Sequence, residues 1–421
     1  MNVTVLTAIG DSRREAALAA GLHETDLGVT VVRRCVDLAD VLAAGAAGLA
    51  QAVLVSADLR RLDRAAVHRL RDSGLAVVAL APDDAAARDR LRGFGIDTVI
   101  ADTVPAAGVA AAVISAVVDR RSGGDEQETI YPSGSAGGDG SVIAVWGPVG
   151  APGRSVVAVN LAGELAELGH STLCVDLDTY GASLAQLVGL LDDGSGVAAA
   201  CRAANSGALE IATLRRLAVE VRPRLRMLTG ISAPHRWPEL RPASLDVVLD
   251  QAKRAFRYVV IDVGFCLEED EELVYDTVAP RRNGAAVDIL RAADVVLAVA
   301  AADPIGIARF VRAVAELPRS RDAARPMTVI NRVRRTAVGR GDPAQQIALA
   351  LGRYADIDDA AMVPDDPATA DLAVASGRTW SEVAPSSPAR LALRNLARRV
   401  SGGSATAAPQ RRRGRLLQVR A

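Results

Sequence analysis

The chain is 421 residues long, 50% hydrophobic and only 3% aromatic, and its formal net charge is −1. This length favours at least two domains, and the scarcity of aromatic residues argues against a base-stacking platform for single-stranded nucleic acid. A net charge near zero excludes a strong overall attraction to nucleic acid or to membranes.

The first 118 residues alternate short apolar runs with segments of helical spacing. The apolar runs are Val3–Ala8, Val29–Arg33, Ala52–Ser56, Ala76–Leu80 and Thr98–Ile100, and helical segments such as Arg13–Leu22 and Leu38–Ala47 lie between them. This alternation predicts a flavodoxin-like α/β domain over residues 1–118, which resembles a response-regulator receiver. A receiver needs paired acids after its first strand and an Asp at the end of its third. Here Asp11 stands alone and Asp58 comes late, so we expect a degenerate receiver-like domain that docks proteins.

Residues 119–140 are rich in Gly, Ser and charge and have no apolar period, which predicts a flexible linker. A second α/β domain then runs from residue 141 to 399. Residues 400–421 form a basic tail without acidic residues, which we expect to be disordered.

The second domain begins with a glycine-rich stretch of sequence GPVGAPGRSVVAVNLA, residues Gly147–Ala162. It lies between the apolar run Val142–Trp146 and the helical pattern Ser155–Leu168, so strand, loop and helix come in the order of a phosphate-binding loop. Backbone N–H groups and the positive end of the helix would bind phosphates there, and Ser155 is placed to bind Mg²⁺. Arg154 occupies the place of the usual lysine. An ordinary βα turn that uses Gly and Pro only for shape is the alternative interpretation.

Acidic residues follow two further apolar runs of the second domain. Ser171–Val175 is followed by Asp176 and Asp178, and Tyr258–Ile261 is followed by Asp262. In a doubly wound sheet these positions lie at the edge where phosphates bind. One Asp there can hold Mg²⁺ and another can orient an attacking water. Each Asp taken alone also fits a helix cap or turn.

The sequence from Ser141 to about Arg399 resembles the deviant Walker-A ATPases of the MinD/ParA class, and within them the CpaE/TadZ-like branch with an N-terminal pseudo-receiver. GPVGAPGRSVVAVNLA resembles the deviant Walker A motif, CVDLDTYGASLAQLVGL the segment with the two catalytic acids, and FRYVVIDVG the Walker B motif. ADVVLAVAAADPIGIARFVRAVAEL, VINRV and VPDDPATADLAVASGR resemble the stretches that follow. The resemblance implies a P-loop NTPase fold with a mostly parallel, doubly wound sheet.

The resemblance also implies roles for individual residues. Phosphates would be bound by Gly147, Gly150, Ala151, Pro152, Gly153, Arg154, Ser155 and Val156, and Mg²⁺ by Ser155 and Asp262. Asp178 would position the hydrolytic water with Asp176 beside it. Asn331 would contact the adenine, and Pro364 and Asp365 would pack near the base. Alternatively, Asn331 caps a turn, and the segment at Pro364 only starts a helix.

Two departures from the family pattern predict slow chemistry. The family places lysines at the positions of Val149 and Arg154. Arginine keeps the charge but is bulkier and planar, and valine carries no charge. We therefore expect ATP and Mg²⁺ to bind with weak or absent hydrolysis. Arg281 or Arg282 is one candidate to replace the missing charge. A non-catalytic pseudo-ATPase scaffold that binds proteins through both domains is the alternative.

The resemblance implies a positioning protein that acts at the cell-division site, in chromosome partitioning, or in the localisation of a pilus or secretion apparatus. Its partners would be a second copy of the chain and proteins of that apparatus. The basic cluster and apolar residues of the tail suit a weak contact with anionic membranes or DNA. Scattered cysteines and the absence of an apolar run of roughly 18 residues predict a cytoplasmic protein, peripheral to the inner face of the membrane at most.

Overall fold

The computed structural model of the chain describes residues 2–24, 27–122, 140–150, 153–190, 194–268, 281–317, 325–335 and 341–402. Ala151 and Pro152 of the predicted loop lie outside these residues, as do most of the predicted linker and nearly all of the predicted tail. Among the described residues, no helix has both the length and the apolar character needed to cross a bilayer.

The N-terminal part forms a five-stranded, wholly parallel sheet. Its strands are β1 (Val3–Ala8), β2 (Val29–Arg34), β3 (Ala52–Ser56), β4 (Ala76–Ala81) and β5 (Thr98–Ala101), and its helices are α1 (Ser12–Glu24), α2 (Leu38–Ala46), α3 (Arg64–Asp72), α4 (Ala85–Gly93) and α5 (Ala106–Ser122). The strand order β2-β1-β3-β4-β5 is the flavodoxin-like order. Each predicted strand is present within one residue. Helix α5 continues to Ser122, four residues into the segment predicted as linker.

The rest of the chain builds an eight-stranded sheet in the order β13-β12-β11-β6-β10-β7-β9-β8. Its strands are β6 (Ser141–Trp146), β7 (Thr172–Leu177), β8 (Val219–Arg222), β9 (Leu225–Leu228), β10 (Tyr258–Val263), β11 (Val295–Ala301), β12 (Met327–Val333) and β13 (Ala360–Pro364). All neighbouring strands are parallel except β8 and β9. The predicted α/β class with a mostly parallel, doubly wound sheet is confirmed.

Helices cover both faces of the second sheet. They are α6 (Arg154–Glu167), α7 (Leu184–Leu187), α8 (Gly196–Asn205), α9 (Ile211–Leu217), α10 (Pro242–Ala255), α11 (Gly284–Ala292), α12 (Pro304–Val314), α13 (Pro343–Ala355), α14 (Pro367–Ser376), α15 (Trp380–Val383) and α16 (Pro388–Val400), with a 3₁₀ turn at Pro234–Glu239. Leu161 of α6 and Leu393 of α16 pack in the core of one face, and Val248 of α10 and Phe310 of α12 in that of the other. Both faces of the strands are therefore buried, which is why these strands read as unbroken apolar runs.

A short polar contact joins helix α3 to the second sheet's helices. The amide nitrogen of Asn205 donates to a carboxylate oxygen of Asp63 at 2.9 Å, and the amide oxygen accepts from the backbone N–H of Ala65 at 3.2 Å. The Nε of Arg64 donates to the carbonyl of Ala243 at 3.1 Å. Both the amide nitrogen and the amide oxygen of Asn205 thus bind the N-terminal end of α3.

Strand β6 marks the point where the strand order of the second sheet changes direction. It is the first of these strands in the sequence, yet β10 and β11 flank it and the chain continues on both sides. In open α/β sheets, ligands bind in the crevice outside the carboxyl ends of strands at such a switch point. The loop that leaves β6 at Gly147 lies at this point.

Candidate functional site

Two glycines shape the loop between β6 and α6. Gly150 has φ +71° and Gly153, which precedes the first residue of α6, has φ +89°. Both values fall in the left-handed region, where a side chain would add strain. Helix α6 begins at Arg154, so Ser155 and Val156 lie in its first turn, where N–H groups have no partner within the helix. The predicted order of strand, glycine loop and helix is present.

Asn331, at the end of β12, lies directly against this loop. Its amide nitrogen occupies the space that a β-carbon at Gly153 would need, and its side chain is buried. The next residue, Arg332, has φ +60°, and the pairing of β12 with β13 shifts register between Ile330 and Val333. Such a bulge re-aims a side chain. The distortion of β12 therefore coincides with the residue that touches the loop.

Arg154 is held inside the site by an ion pair. One guanidinium nitrogen donates to Oδ2 of Asp178 at 3.0 Å, and the other terminal nitrogen donates to the carbonyl of Gly147 at 3.1 Å. The two side chains are only 13% and 7% exposed. The guanidinium also lies 5.8 Å from the centre of the Phe265 ring. The residue in the lysine position thus makes its contacts within the protein.

Asp178 uses both of its carboxylate oxygens. Oδ2 accepts from Arg154, while Oδ1 accepts from the backbone N–H groups of Tyr180 at 2.8 Å and Gly181 at 3.2 Å. The carboxylate therefore fixes the turn that follows β7 and, at the same time, neutralises the loop arginine. Sequence reasoning placed Asp178 and Arg154 in one site but gave no sign that they form a pair.

Asp176 and Asp262 lie one residue before the ends of β7 and β10, at the strand ends where the sequence pattern put these acids. Strands β7 and β10 continue through them, and the two residues are partners in the parallel register. Asp176 accepts hydrogen bonds from the backbone N–H groups of Ser183, Leu184 and Asp178. Burial raises its pKa to about 6, although these bonds lower it. Asp176 is thus a buried support for the turn before α7.

Asp262 is a fully buried carboxylate without a hydrogen-bond partner of normal geometry among the described residues. Burial, followed by the charge of Asp176, raises the pKa of Asp262 to about 8. The hydroxyl of Ser155 and the charge of Arg154 act in the opposite direction and lower it. A buried unpaired carboxylate is costly for a fold. An unsatisfied buried group calls for an explanation, and a cation that binds at the switch point is one that fits a carboxylate.

The residues present fit a magnesium ion. Mg²⁺ prefers oxygen ligands and is usually held by one or two carboxylates together with substrate phosphates and water. Asp262 offers two unused carboxylate oxygens, and Ser155 offers a hydroxyl in the first turn of α6, which starts at the loop. The predicted pair Ser155 and Asp262 is therefore brought together by the fold.

A small aromatic group covers the loop on the side of β10, and sequence reasoning missed it. The indole N–H of Trp146 donates to the carbonyl of Phe265 at 3.3 Å, and the Phe265 and Tyr180 rings lie 4.9 Å apart. The guanidinium of Arg282 stacks 3.9 Å from the Tyr180 ring and donates to the carbonyl of Thr179 at 2.9 Å. These contacts hold Arg282 against the turn after β7.

Pro364 and Asp365 end β13 and lead into α14. Pro364 is half-buried and Asp365 is exposed, and the backbone N–H of Asp365 donates to the carbonyl of Val333. The following residue, Asp366, caps α14 by accepting from the backbone N–H and the hydroxyl of Thr369. The segment does start a helix, as the alternative interpretation proposed, and it is joined to β12 beyond Asn331.

The fold of the chain matches known structures, although no family model and no curated protein matches the sequence. A ParA-family ATPase from Chlorobium tepidum aligns at 17% identity and a TM-score of 0.50, over 61% of this chain and 98% of the other. The Pyrococcus furiosus cell-division ATPase MinD aligns at 18% identity and a TM-score of 0.46, over 62% and 99% of the two chains. Pyrococcus horikoshii MinD, solved with Mg-ADP, aligns at 17% identity and a TM-score of 0.45, over 62% of this chain and 95% of the other. Identities this low establish the fold alone, and the ParA-family match supports the P-loop NTPase fold.

Proposed function

We propose that the chain binds Mg-ATP at the loop from Gly147 to Ser155 and acts as a nucleotide-dependent positioning protein of the MinD/ParA type with slow hydrolysis. The observation that carries this proposal is the fully buried, unpaired carboxylate of Asp262 beside Ser155 at the switch point of a parallel sheet. An ion pair or helix cap would leave no such unused oxygens. A cation that binds together with a nucleotide would be the missing partner of this carboxylate.

Phosphate binding would use groups that do not depend on the missing lysines. Backbone N–H groups of the loop and of the first turn of α6, including those of Ser155 and Val156, suit anionic oxygens. Asp262 and Ser155 would hold Mg²⁺, which supplies charge neutralisation to the phosphates when it is bound. Asn331 lies against Gly153, and Pro364 and Asp365 follow the next strand, so we assign the base to this side of the loop.

Slow hydrolysis follows from how the charged groups are used. The carboxylate of Asp178 already accepts three hydrogen bonds, one of them from the Arg154 guanidinium, so its charge is neutralised and little acceptor capacity is left to orient a water. Val149 is 55% exposed and brings no charge. A cation that stabilises the transition state contributes about 10³- to 10⁵-fold in phosphoryl transfer. We therefore expect turnover well below that of a P-loop enzyme with both lysines.

The biological role we propose is spatial organisation: cell division, chromosome partitioning or placement of a pilus or secretion apparatus, in a CpaE-like arrangement with a receiver-like N-terminal domain. The flavodoxin-like strand order of the first sheet supports that arrangement. Two exposed apolar side chains, Val149 in the loop and Ile305 at the start of α12, support a homodimer that forms across the nucleotide site. Sedimentation with and without Mg-ATP tests it, because an unchanged mass would contradict nucleotide-dependent pairing.

The decisive experiment is calorimetric titration of the full chain with Mg-ATP and Mg-ADP, repeated with EDTA and with the Asp262→Ala variant. We expect binding by the wild-type protein that weakens in EDTA and in the variant. An exposed aspartate, Asp371→Ala, is the matched control and should bind as the wild type does. A phosphate-release assay then measures turnover. Absence of nucleotide binding by the wild-type protein would refute the proposal.

A pseudo-ATPase scaffold is the second candidate, and the ion pair between Arg154 and Asp178 favours it. In that role the two side chains would serve only to hold the loop against the turn after β7. The same titration separates the candidates, since a scaffold with a vestigial site would show no heat of nucleotide binding and no rise in melting temperature with Mg-ADP.

A further inference from the structure

Arg309, on the second turn of α12, is exposed and lies against the glycine loop at Gly150. Helix α12 follows β11, and β11 pairs directly with β6. The helix start is fixed by Asp303, whose carboxylate accepts from the backbone N–H of Gly306 at 2.9 Å. From there, a terminal guanidinium nitrogen of Arg309 reaches into the space that a β-carbon at Gly150 would occupy. The guanidinium is therefore in contact with the backbone of the loop.

Arg309 differs from the other arginines near the loop because none of its donors is bound by a residue that the structure describes. It is exposed and forms no hydrogen bond or ion pair with another described residue. Arg154 is bound to Asp178 and the Gly147 carbonyl, and Arg282 is stacked on Tyr180. Those two guanidinium groups can reach a ligand only by giving up contacts. Arg309 has no hydrogen bond or ion pair to give up among the residues that the structure describes.

We propose that Arg309 binds the terminal phosphate oxygens of the nucleotide and so supplies the positive charge that Val149 does not. This inference rests on the proposed function and adds a phosphate-binding residue from outside the glycine loop and the acidic strand ends. A guanidinium carries a permanent positive charge, which suits the anionic oxygens of a terminal phosphate. Gly150 leaves room for this approach, because a β-carbon there would occupy the position that the guanidinium nitrogen now has.

The chemistry of the contact distinguishes phosphate binding from simple packing. An arginine that only packs on the loop would affect all nucleotides alike, because it would act through the shape of the loop. An arginine that binds terminal phosphates has an effect that grows with the number of phosphates and weakens with added salt. Charge, rather than the shape of the side chain, then decides the outcome, so lysine replaces arginine better than glutamine does.

The test compares Arg309→Gln and Arg309→Lys with the wild type, using Mg-ATP, Mg-ADP and AMP as ligands in competition against a fluorescent nucleotide. We expect Arg309→Gln to weaken Mg-ATP binding about tenfold, which is the size of one exposed charge-assisted hydrogen bond. AMP binding should stay unchanged, Arg309→Lys should recover most of the loss, and the salt dependence of Mg-ATP binding should fall in Arg309→Gln. Arg312→Gln, an exposed arginine on the same helix, is the control and should bind as the wild type does.

Three results would overturn the assignment. These are wild-type affinity of Arg309→Gln for Mg-ATP, an equal loss for Mg-ATP and AMP, and failure of lysine to restore binding. If the wild-type protein binds no nucleotide at all, the proposed function falls and takes this assignment with it. If it binds and Arg309→Gln binds equally well, only the role of Arg309 is refuted.

Discussion

Replacing Asp262 with asparagine tests the buried carboxylate directly. The side chain is fully buried, and burial together with Asp176 raises its pKa to about 8, from an ordinary value of 3.8. In the unfolded chain the group loses its proton near pH 4, whereas in the folded, metal-free protein it keeps the proton until about pH 8. The folded state therefore binds more protons between these values, and the free energy of unfolding falls as pH rises through this window.

The size of the effect follows from the separation of the two pKa values. Each pH unit within the window costs about 1.4 kcal/mol of unfolding free energy. Asp176, whose pKa is raised to about 6, contributes mainly below pH 6. Between pH 6 and pH 8 the change belongs mostly to Asp262 and amounts to about 2 kcal/mol after allowing for partial ionisation near pH 8. Asparagine carries no titrating proton, so Asp262→Asn should remove this slope.

The assay is urea unfolding in EDTA at pH 6, 7 and 8, followed by melting with and without Mg-ADP at pH 8. Wild-type protein should lose stability across the series and regain it with Mg-ADP, because ligand binding to the folded state stabilises it. Asp262→Asn should lose much less stability across the series than the wild type and gain much less from Mg-ADP. Asp371→Asn, at an exposed position, should behave as the wild type. An equal pH slope in Asp262→Asn and wild type would refute the reasoning.

Three further substitutions test the site and its support. Arg390→Ala should lower the free energy of unfolding by about 3 to 5 kcal/mol in urea titration, because Arg390 donates two hydrogen bonds to buried Glu164; a loss below about 1 kcal/mol would contradict it. Gly153→Ala should abolish the Mg-ADP shift in melting temperature, because the new β-carbon collides with Asn331 and φ is +89°; a retained shift would show that the loop tolerates the change. Asp178→Asn should tighten Mg-ATP binding about tenfold by releasing its guanidinium partner while phosphate release falls, and weaker binding would count against a competing ion pair.

The strands of both sheets were predictable because parallel strands covered on both faces leave long apolar runs in the sequence. The acids at the ends of two of these runs were predictable in position but not in burial. Asp176 and Asp262 lie one residue before the ends of β7 and β10 and are almost completely buried, whereas carboxylates are rarely fully buried without a partner. Their pairing in register is a property of β7 and β10 as neighbours, and neither segment's sequence contains it.

The glycine loop was recognisable from its order of elements, but its charge arrangement was not. The ion pair between Arg154 and Asp178 depends on side-chain reach across two strands. Arg309 went unnoticed because arginine replaces lysine almost everywhere in this chain and so carried little information. The signal that was available was positional. Helix α12 follows a strand that borders β6, and its first turns had to lie near the loop.

In the proposed function, Arg154 links nucleotide binding to hydrolysis, because the guanidinium that a phosphate would bind is paired with Asp178, the residue that would orient the water. A phosphate group that takes the guanidinium of Arg154 must compete with Asp178, so part of the binding free energy is spent on separating a buried pair. Asp178 then has an oxygen available, while its other oxygen still holds the N–H groups of Tyr180 and Gly181. A ligand shifts an equilibrium only by its differential affinity for the two states. The two states here have the ion pair between Arg154 and Asp178 intact or broken, and a phosphate binds better to the state in which it is broken. Because Asp178 also holds the turn after β7, we expect the first structural response to nucleotide in that turn.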